Sequence, residues 1–378
     1  MKKYIVVGLL AITTLTSCLK HVSQREKREF ADSMAKALHL RFINTDPDYE
    51  SPFFRIYNDT IVGFHTGSID HKEYYFVQSI KNLKFNVITG NDSLKYPSIS
   101  PIDAFRNGRL YFGRFGRSTM QTLDLDENLT EYFRKYEDTL SYANKVMLYK
   151  NMAVITSMTG VYVFDIKSQK LLWKYRYTEI VNNGMNGVLG NKLVFTETVS
   201  DTVKKSVYTN VICFDLDKLK RTWVKTLYHS ITYVYAKKYA PRDQLYNDNN
   251  EVIIPQGDAC YRLDLNTGSV KGKFLWGGYF RNDPRFTVEN GRLYLDNHYT
   301  LVCIDLNTGK KIWQVKNAGY WEFYKNYVIA STPGVKFYLI VNKFTGKIES
   351  KIPKPDNYTM DFDVVGKYIL INHESLYQ

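Results

Sequence analysis

The sequence predicts an all-β protein built from one short unit of strands and turns that recurs along the chain. Three observations support this prediction: a strand-turn-strand motif, a second polar turn ahead of it, and the regular spacing of both. Units of several short strands that recur at steps of roughly 35 to 60 residues are typical of a β-propeller. We therefore expect a single propeller of four-stranded sheets, or blades.

The motif is clearest in Leu301–Trp313, whose sequence is LVCIDLNTGKKIW. Leu301 to Asp305 is an apolar and β-branched run that suits a largely buried strand. The next residues are typical of a turn, because Gly309 can adopt the positive φ that closes a hairpin with a bulge. The chain then returns as a second strand that reaches a large apolar side chain, Trp313.

Members of the repeat share side chains at fixed offsets from the Asp that ends the first strand. An aromatic residue stands eight positions on in four pairs: Asp124 and Tyr132, Asp165 and Trp173, Asp215 and Trp223, Asp305 and Trp313. A Thr-Gly pair follows at offsets three and four in three turns: Asp264 with Gly268, Asp305 with Gly309, and Asn342 with Gly346. We expect the Asp side chains to accept backbone N–H bonds and the Trp side chains to anchor packing between blades.

A polar turn followed by an apolar strand precedes each unit. The eight strands so marked begin near Ile61, Leu110, Val154, Leu193, Val252, Leu293, Val328 and Ile369. They place blades at 53–90, 100–136, 141–176, 185–227, 244–276, 286–316 and 320–352, with part of another in 361–378. We expect eight blades, with seven as the alternative. Leu38–Asn44 alternates in polarity and is the candidate closing strand, so that the N- and C-terminal strands pair and remove exposed sheet edges.

The order strand–Asp–Leu–Asn–Thr–Gly–Lys–x–x–Trp, as in Asp305–Trp313, resembles the PQQ-like β-propeller repeat. The resemblance covers residues from about 50 to 378. Enzymes of that family that bind the quinone carry an adjacent Cys-Cys pair and calcium-binding carboxylates, and this sequence has neither. We therefore expect no cofactor and no enzymatic activity. A WD40 propeller is disfavoured because no Gly-His…Trp-Asp pairing recurs.

Residues 1–17 are predicted to be a lipoprotein signal peptide. Lys2 and Lys3 precede an apolar run, Ile5–Ile12, that is too short to span a bilayer. Leu15–Cys18 (LTSC) resembles a bacterial lipobox, which implies lipidation of Cys18; an ordinary signal peptide is the alternative. Leu19 follows in place of Asp, so the resemblance implies the outer membrane. We expect a lipid-anchored protein on its periplasmic side rather than on the cell surface.

Residues 18–37 are predicted to be a lipidated tether with a short helix, and residues 38–378 to be the propeller domain. Ser23 and Glu26 have the spacing of a capping box. An apolar helical stripe follows, made of Phe30, Met34, Ala37 and Leu38. A helix packed on the propeller is the main prediction, and a helix that binds a partner is the alternative.

Cysteine and histidine usage gives no sign of a reactive or metal site. Cys213, Cys260 and Cys303 share strand parity, so we expect buried free thiols rather than disulfides. No Cys-x-x-Cys pair and no His cluster occurs, and the seven His residues are scattered. We therefore predict no metal site and no catalytic residues.

Charge and three long inserts are the sequence features that bear on partner binding. Lys and Arg exceed Asp and Glu by 13, without any basic block, and an exported protein is a poor candidate for nucleic-acid binding. We expect this dispersed charge to keep the protein soluble; binding of anionic lipid, acidic glycans or an acidic partner is the alternative. Three inserts are either solvated connections, which is the main expectation, or binding loops: Val199–Thr209, which we expect to enlarge a hairpin, His229–Gln244 and Gly277–Arg285.

The combination of lipobox, single propeller and missing cofactor signature resembles the propeller lipoproteins of the outer-membrane β-barrel assembly machinery. The resemblance implies a non-catalytic scaffold that binds an envelope protein, with the barrel-assembly machinery as the first candidate partner. The alternative is a lipoprotein that binds a glycan or another ligand. A quinoprotein-type enzyme is a third and less favoured reading.

Overall fold

The structure, a computed structural model, describes part of the chain between residues 24 and 377. The described residues are 24–38, 40, 42–45, 53–57, 60–66, 73–79, 85–89, 104–113, 120–124, 129–133, 136, 143–178, 186–201, 206–228, 246–248, 250–256, 259–275, 286–296, 299–331, 335–353, 362–365, 368–371 and 375–377.

These residues form one α-helix, α1 (Gln24–Ala37), and a long series of short strands. In chain order the strands are β1 Phe42–Thr45, β2 Phe53–Tyr57, β3 Thr60–Thr66, β4 Glu73–Ser79, β5 Phe85–Thr89, β6 Ala104–Arg106, β7 Arg109–Gly113, β8 Met120–Asp124, β9 Leu129–Tyr132, β10 Ala143–Tyr149, β11 Met152–Ser157, β12 Gly160–Asp165, β13 Leu171–Arg176, β14 Asn186–Leu189, β15 Lys192–Asp201, β16 Ser206–Asp215, β17 Lys220–Tyr228, β18 Tyr246–Asp248, β19 Glu251–Gln256, β20 Ala259–Asp264, β21 Val270–Leu275, β22 Phe286–Glu289, β23 Arg292–Asp296, β24 Thr300–Asp305, β25 Lys311–Lys316, β26 Tyr320–Tyr324, β27 Tyr327–Ser331, β28 Phe337–Asn342, β29 Ile348–Pro353, β30 Phe362–Val365, β31 Tyr368–Ile371 and β32 Ser375–Tyr377.

Within the described residues the strands assemble into four-stranded sheets. Seven sheets each take four consecutive strands, from β2–β5 to β26–β29, and one further sheet has the order β1-β32-β31-β30. Adjacent strands are antiparallel, as in the hairpins that join β10 to β13 and β14 to β17. The predicted all-β class with four-stranded antiparallel sheets is therefore confirmed.

The chain divides into two compact units, which are described separately. The first takes in residues 1–50, 299–301 and 313–378, and the second takes in residues 51–298 and 302–312. The division passes through β24 and β25.

Burial explains why the middle strands of a sheet are apolar throughout. In the last strand, which we call the outer strand, half-buried and exposed side chains alternate. In the second unit Ala153, Val154 and Ile155 of β11 are all fully buried, because both faces of this strand are covered. The outer strand β13 alternates between half-buried and exposed side chains. Neighbouring sheets pack face to face through these inner residues, for example Val163 of β12 with Phe195 and Phe214 of the next sheet.

The outer strand of several sheets carries a β-bulge at the same repeat position. In β13, Trp173 lies opposite Val163 and Leu171 lies opposite Phe164, so Leu172 is skipped. The same shift skips Thr222, Lys271 and Glu349, each seven positions after the residue that ends the preceding strand. Such bulges increase the local twist and make an outer edge less suitable for pairing with another strand.

In the first unit, α1 packs on one face of the sheet β26–β29. Phe30, Met34 and Leu38 are buried in one cluster with Tyr338 and Ile340, while Ala37 lies at its margin. The cluster also contains Ala31, Ala35, Tyr324, Ile329 and Ile352. The apolar stripe predicted from the sequence is thus the face that α1 buries.

One feature of this segment differs from the prediction. The expected closing strand Leu38–Asn44 begins only at Phe42, and β1 pairs antiparallel with β32, with Thr45 opposite Ser375. Leu38 instead lies in the turn that ends α1, where its N–H donates to the Met34 carbonyl at 3.0 Å and its side chain is buried against the sheet.

Several predicted features lie outside the described residues. They are the signal peptide 1–17, Cys18, and the inserts His229–Gln244 and Gly277–Arg285. Among the described parts of the chain, no helix has the length and apolar character needed to cross a bilayer.

Candidate functional site

The aspartate turns of the second unit are closed by short hydrogen bonds. Asp264 Oδ1 accepts bonds from the Thr267 N–H at 2.8 Å and from the Thr267 hydroxyl at 3.0 Å. Asp305 Oδ1 accepts the equivalent bonds from Thr308 at 2.7 and 2.9 Å. The backbone N–H bond from the threonine is the main reason that the pKa of each carboxyl lies below its usual value. These carboxylates act within their own turns.

Asp165 and Asp215 vary this arrangement. Asp165 Oδ1 accepts bonds from the Ser168 N–H and hydroxyl, both at 2.6 Å. Asp215 is only 2% exposed, and its Oδ2 lies 2.6 Å from Lys192 Nζ. Bonding to Lys192 is the largest cause of the lowered pKa of Asp215. Since Lys192 starts β15 and Asp215 ends β16, this ion pair fastens two neighbouring strand ends.

Two tryptophans bond to the turn of the next repeat. Trp223 Nε1 donates to the Leu265 carbonyl at 3.0 Å within the second unit. Trp313 Nε1 donates to the Lys343 carbonyl at 3.2 Å within the first unit. Leu265 directly follows the last residue of β20, and Lys343 directly follows the last residue of β28. The two contacts are therefore equivalent.

The turn glycines make room for these rings. A Cβ atom added to Gly268 would lie 2.6 Å from Trp223, and one added to Gly346 would lie 2.6 Å from Trp313. Both glycines also have positive φ, +70° and +72°. The Thr-Gly pair and the tryptophan, recognised separately in the sequence, are therefore brought together between consecutive repeats.

Arg262 takes the place of a missing tryptophan. The position eight residues after Asp264 is Gly272, and the Arg262 side chain passes within 4 Å of where its Cβ would be. Arg262 Nη1 donates to the Leu306 carbonyl at 2.8 Å, the acceptor equivalent to Leu265. Sequence reasoning missed this residue, although the glycine at the tryptophan position was a visible signal.

Glu251 fixes Arg262 in position. Arg262 Nε and Nη2 donate to its two carboxylate oxygens at 2.6 and 2.9 Å. Nearby, Gly309 has φ +68°, and an added Cβ would lie 2.7 Å from Phe274. Gly309 thus has the same packing role as Gly268, with a phenylalanine in place of the tryptophan.

Trp173 packs by stacking on an aromatic ring. Its ring lies 4.0 Å from that of Phe214, centroid to centroid, in the sheet that follows. Beside it, the buried Glu197 accepts bonds from the Tyr175 hydroxyl at 2.8 Å and from the Thr178 N–H at 2.5 Å. Burial and this bond raise the pKa of Tyr175. Glu197 therefore links two sheets, a role that the sequence pattern did not reveal.

The hairpin β15–β16 is longer than its equivalents in the neighbouring sheets. Each of its strands has 10 residues, whereas β11 and β12 before it and β19 and β20 after it have six. Pairing continues to Asp201 opposite Ser206, although β14 pairs only as far as Phe195. The additional four residues extend the hairpin by roughly 13 Å. The insert Val199–Thr209 thus lengthens a hairpin, as the sequence predicted.

The three described cysteines are free and buried, as predicted. Burial raises the pKa of all three thiols, that of Cys303 to about 11. In the portion of the chain that the structure describes, no group of three or more His, Cys, Asp and Glu side chains is placed to hold a metal ion.

Comparison with known proteins gives structural likeness only. No protein-family model matches the chain, and no curated protein matches it. BamB from Moraxella catarrhalis is similar in structure, with a TM-score of 0.55 and 12% identity over 90% of this chain and 97% of that one. The Dos1 propeller is similar with a TM-score of 0.58 and 10% identity, over 90% and 96% of the two chains. This protein therefore has a β-propeller fold.

Proposed function

We propose that this protein is an outer-membrane lipoprotein whose propeller is a non-catalytic scaffold for other envelope proteins. Three observations support the proposal. Leu15–Cys18 resembles a lipobox, the repeats resemble the PQQ-like family without its cofactor signature, and the fold is shared with BamB. The barrel-assembly machinery is the first candidate partner, because of the resemblance to its propeller lipoproteins.

We further propose that the propeller has eight blades, one for each four-stranded sheet. The blade made of β30, β31 and β32 would then receive its fourth strand from β1. This arrangement would close the ring by pairing its two ends, which removes edges that would otherwise recruit other chains.

The long hairpin β15–β16 is the observation that carries the scaffold proposal. Its last residues extend past the part of β15 that pairs with β14, and they are not required for the Trp and Gly contacts between sheets. Its backbone is paired from Lys192–Asp215 out to Asp201–Ser206, so a partner would meet strands whose backbone is already held by pairing. Little conformational entropy is then lost on binding. We therefore assign the partner contact to this hairpin.

Affinity purification from outer membranes tests the proposal. The wild-type chain, tagged at its C-terminus, is compared with Cys18→Ala and with a variant in which Asn-Gly replaces Val199–Tyr208. This variant joins Thr198 to Thr209, which already face each other, by a two-residue turn. Mass spectrometry identifies the proteins that co-purify.

We expect barrel-assembly components to be enriched with the wild type, reduced at least tenfold with the hairpin variant, and absent with Cys18→Ala. An unchanged partner set in a folded hairpin variant would exclude the hairpin as the contact. Recovery of a glycan-uptake complex would instead favour the glycan-binding alternative. Calcium-dependent dye reduction with added quinone, which we expect to be absent, tests the proposal that the protein is not an enzyme.

A further inference from the structure

The outer strands of three consecutive sheets in the second unit are strongly basic. We call β13, β17 and β21 together the outer-strand surface. These strands contain no Asp or Glu, and their cations are Lys174, Arg176, Lys220, Arg221, Lys225, Lys271 and Lys273. All of these side chains are exposed except that of Lys225, which is half-buried. The net charge of the surface is therefore strongly positive.

The three strands lie along one side of the unit. Each is the last strand of its sheet, so one of its edges has no strand partner within that sheet. Trp173 on β13 stacks on the sheet that contains β17, and Trp223 on β17 bonds to the turn before β21. Because stacked sheets are about 10 Å apart, the surface is roughly 20 Å wide.

Exposed aliphatic side chains occur among the cations. Leu172, Val224, Val270 and Leu275 are 39, 44, 42 and 63% exposed. Lysine side chains can keep their ammonium groups in water while their methylene groups cover apolar surface. A surface of cations and aliphatic residues suits an anionic membrane, where charges meet phosphates and short apolar groups enter the interface.

Within the described residues, most of this positive charge is not paired with a carboxylate. Of the seven cations, Lys271 alone forms an ion pair within the described residues, with Asp264 at 3.6 Å. Lys273 lies over the Tyr261 ring, 5.1 Å from its centroid. Lysines on an outer strand also discourage pairing with other strands, but that role does not require exposed aliphatic neighbours.

We propose that the outer-strand surface binds the anionic headgroups of a lipid membrane. Lys and Arg meet the headgroup phosphates, and Leu172, Val224 and Leu275 contact the interface between headgroups and acyl chains. The proposal goes beyond the scaffold function and does not depend on it. It concerns the protein surface itself, in addition to any lipid attached at Cys18.

Vesicle co-sedimentation tests the proposal. The full-length Cys18→Ser chain, which cannot be lipidated, is mixed with vesicles of phosphatidylcholine or of phosphatidylcholine with 30% phosphatidylglycerol, at low and at high salt. The test variant is Lys174→Gln, Lys220→Gln and Arg221→Gln combined. The control combines Lys36→Gln, Arg109→Gln and Lys325→Gln, which removes the same charge from exposed positions elsewhere. Thermal melting checks that both variants fold.

We expect the protein to bind the vesicles that contain phosphatidylglycerol and not those of phosphatidylcholine alone. Salt should weaken this binding. Each cation at a membrane surface contributes about fivefold to partitioning, so the test variant should bind about 100-fold more weakly and the control within about threefold of the parent. Changing Leu172, Val224 and Leu275 together to Ser should weaken binding at high salt, where charge is screened. Equal losses in test and control, or binding to an acidic polysaccharide but not to vesicles, would overturn the proposal. Failure to recover a protein partner in the affinity purification would count against the scaffold function and not against this proposal.

Discussion

At the scale of single residues, the turn glycines are fixed by two independent requirements. Gly268 and Gly291 have almost the same positive φ, +70° and +74°. The space for a side chain differs: a Cβ added to Gly268 would lie 2.6 Å from Trp223, whereas a Cβ added to Gly291 would meet no atom within 4 Å. The pair therefore separates the backbone requirement from the packing requirement.

Gly291→Ala should lower the free energy of unfolding by about 1 kcal/mol, because alanine is strained at positive φ. Gly268→Ala should lower it by about 2 to 4 kcal/mol, because the ring of Trp223 must also move. Urea unfolding at neutral pH measures both. Equal effects would mean that the ring yields without cost.

Arg262 provides a second prediction at this scale. Arg262→Met leaves the Glu251 carboxylate and the Leu306 carbonyl without their partner, and should lower the free energy of unfolding by about 2 to 4 kcal/mol. Arg262→Met combined with Glu251→Met should recover part of this loss, because no unpaired charge remains. A double-mutant cycle measures the coupling, and purely additive effects would contradict it.

The lowered pKa of Asp215 predicts how stability depends on pH. A folded-state pKa below the unfolded value of about 3.9 stabilises the fold above that pH, and the contribution is lost as pH falls through the folded pKa. Asp215→Asn should therefore be less stable than wild type at pH 7, and its stability should fall less steeply below about pH 4. Unfolding curves of both proteins between pH 7 and 2 test this. If the free energy of unfolding fell with pH in parallel for the two proteins, the prediction would be wrong.

At the scale of elements, α1 covers apolar side chains of the sheet β26–β29. Cys213, two residues before Asp215, packs against the sheet that follows its own. The equivalent residue in β28 is Ile340, two before Asn342, and it packs on α1 instead. Ser350 stands where the other repeats have tryptophan, and the Phe30 ring lies 5.4 Å from that of Tyr338. The helix thus buries apolar side chains of β26–β29 at a repeat position where Cys213 packs against the following sheet.

Truncating the buried face of α1 should destabilise the first unit. Met34 is fully buried, so Met34→Ala should lower the free energy of unfolding by about 2 to 5 kcal/mol. Lys36→Ala, at an exposed position of the same helix, should change it by less than about 0.5 kcal/mol. Hydrogen exchange in β28 reports the loss directly, and unchanged protection there would show that α1 is not needed to cover the sheet.

At the scale of the whole molecule, the buried thiols report global opening. Cys213, Cys260 and Cys303 lie in three different sheets, and burial keeps each thiol protonated. In the Cys18→Ser chain at pH 8, none should react with a thiol reagent on the timescale of minutes, and all three should react in 6 M guanidinium. Reaction of one thiol alone under native conditions would reveal local opening of its sheet.

Sequence reasoning was most successful where the physical requirement is local. The positive φ of Gly309 and the bonds from Thr308 to Asp305 involve residues within five positions of each other. The turn can therefore be predicted from its local sequence. The apolar runs of strands such as β24 indicate burial on both faces without any knowledge of the neighbour. The helical stripe Phe30–Leu38 is predictable for the same reason, since its period depends only on the helix.

The sequence by itself therefore determined the repeat, its turns, its strands and the apolar face of α1. Only the tertiary structure decided which repeat each side chain contacts. Trp223 and Leu265 are 42 residues apart, and Arg262 and Leu306 are 44 apart. The role of Glu197 and the grouping of the outer-strand cations also depend on tertiary structure, because their neighbours come from other strands and sheets. Contacts of this kind depend on how sheets stack, and no spacing along one chain segment encodes that.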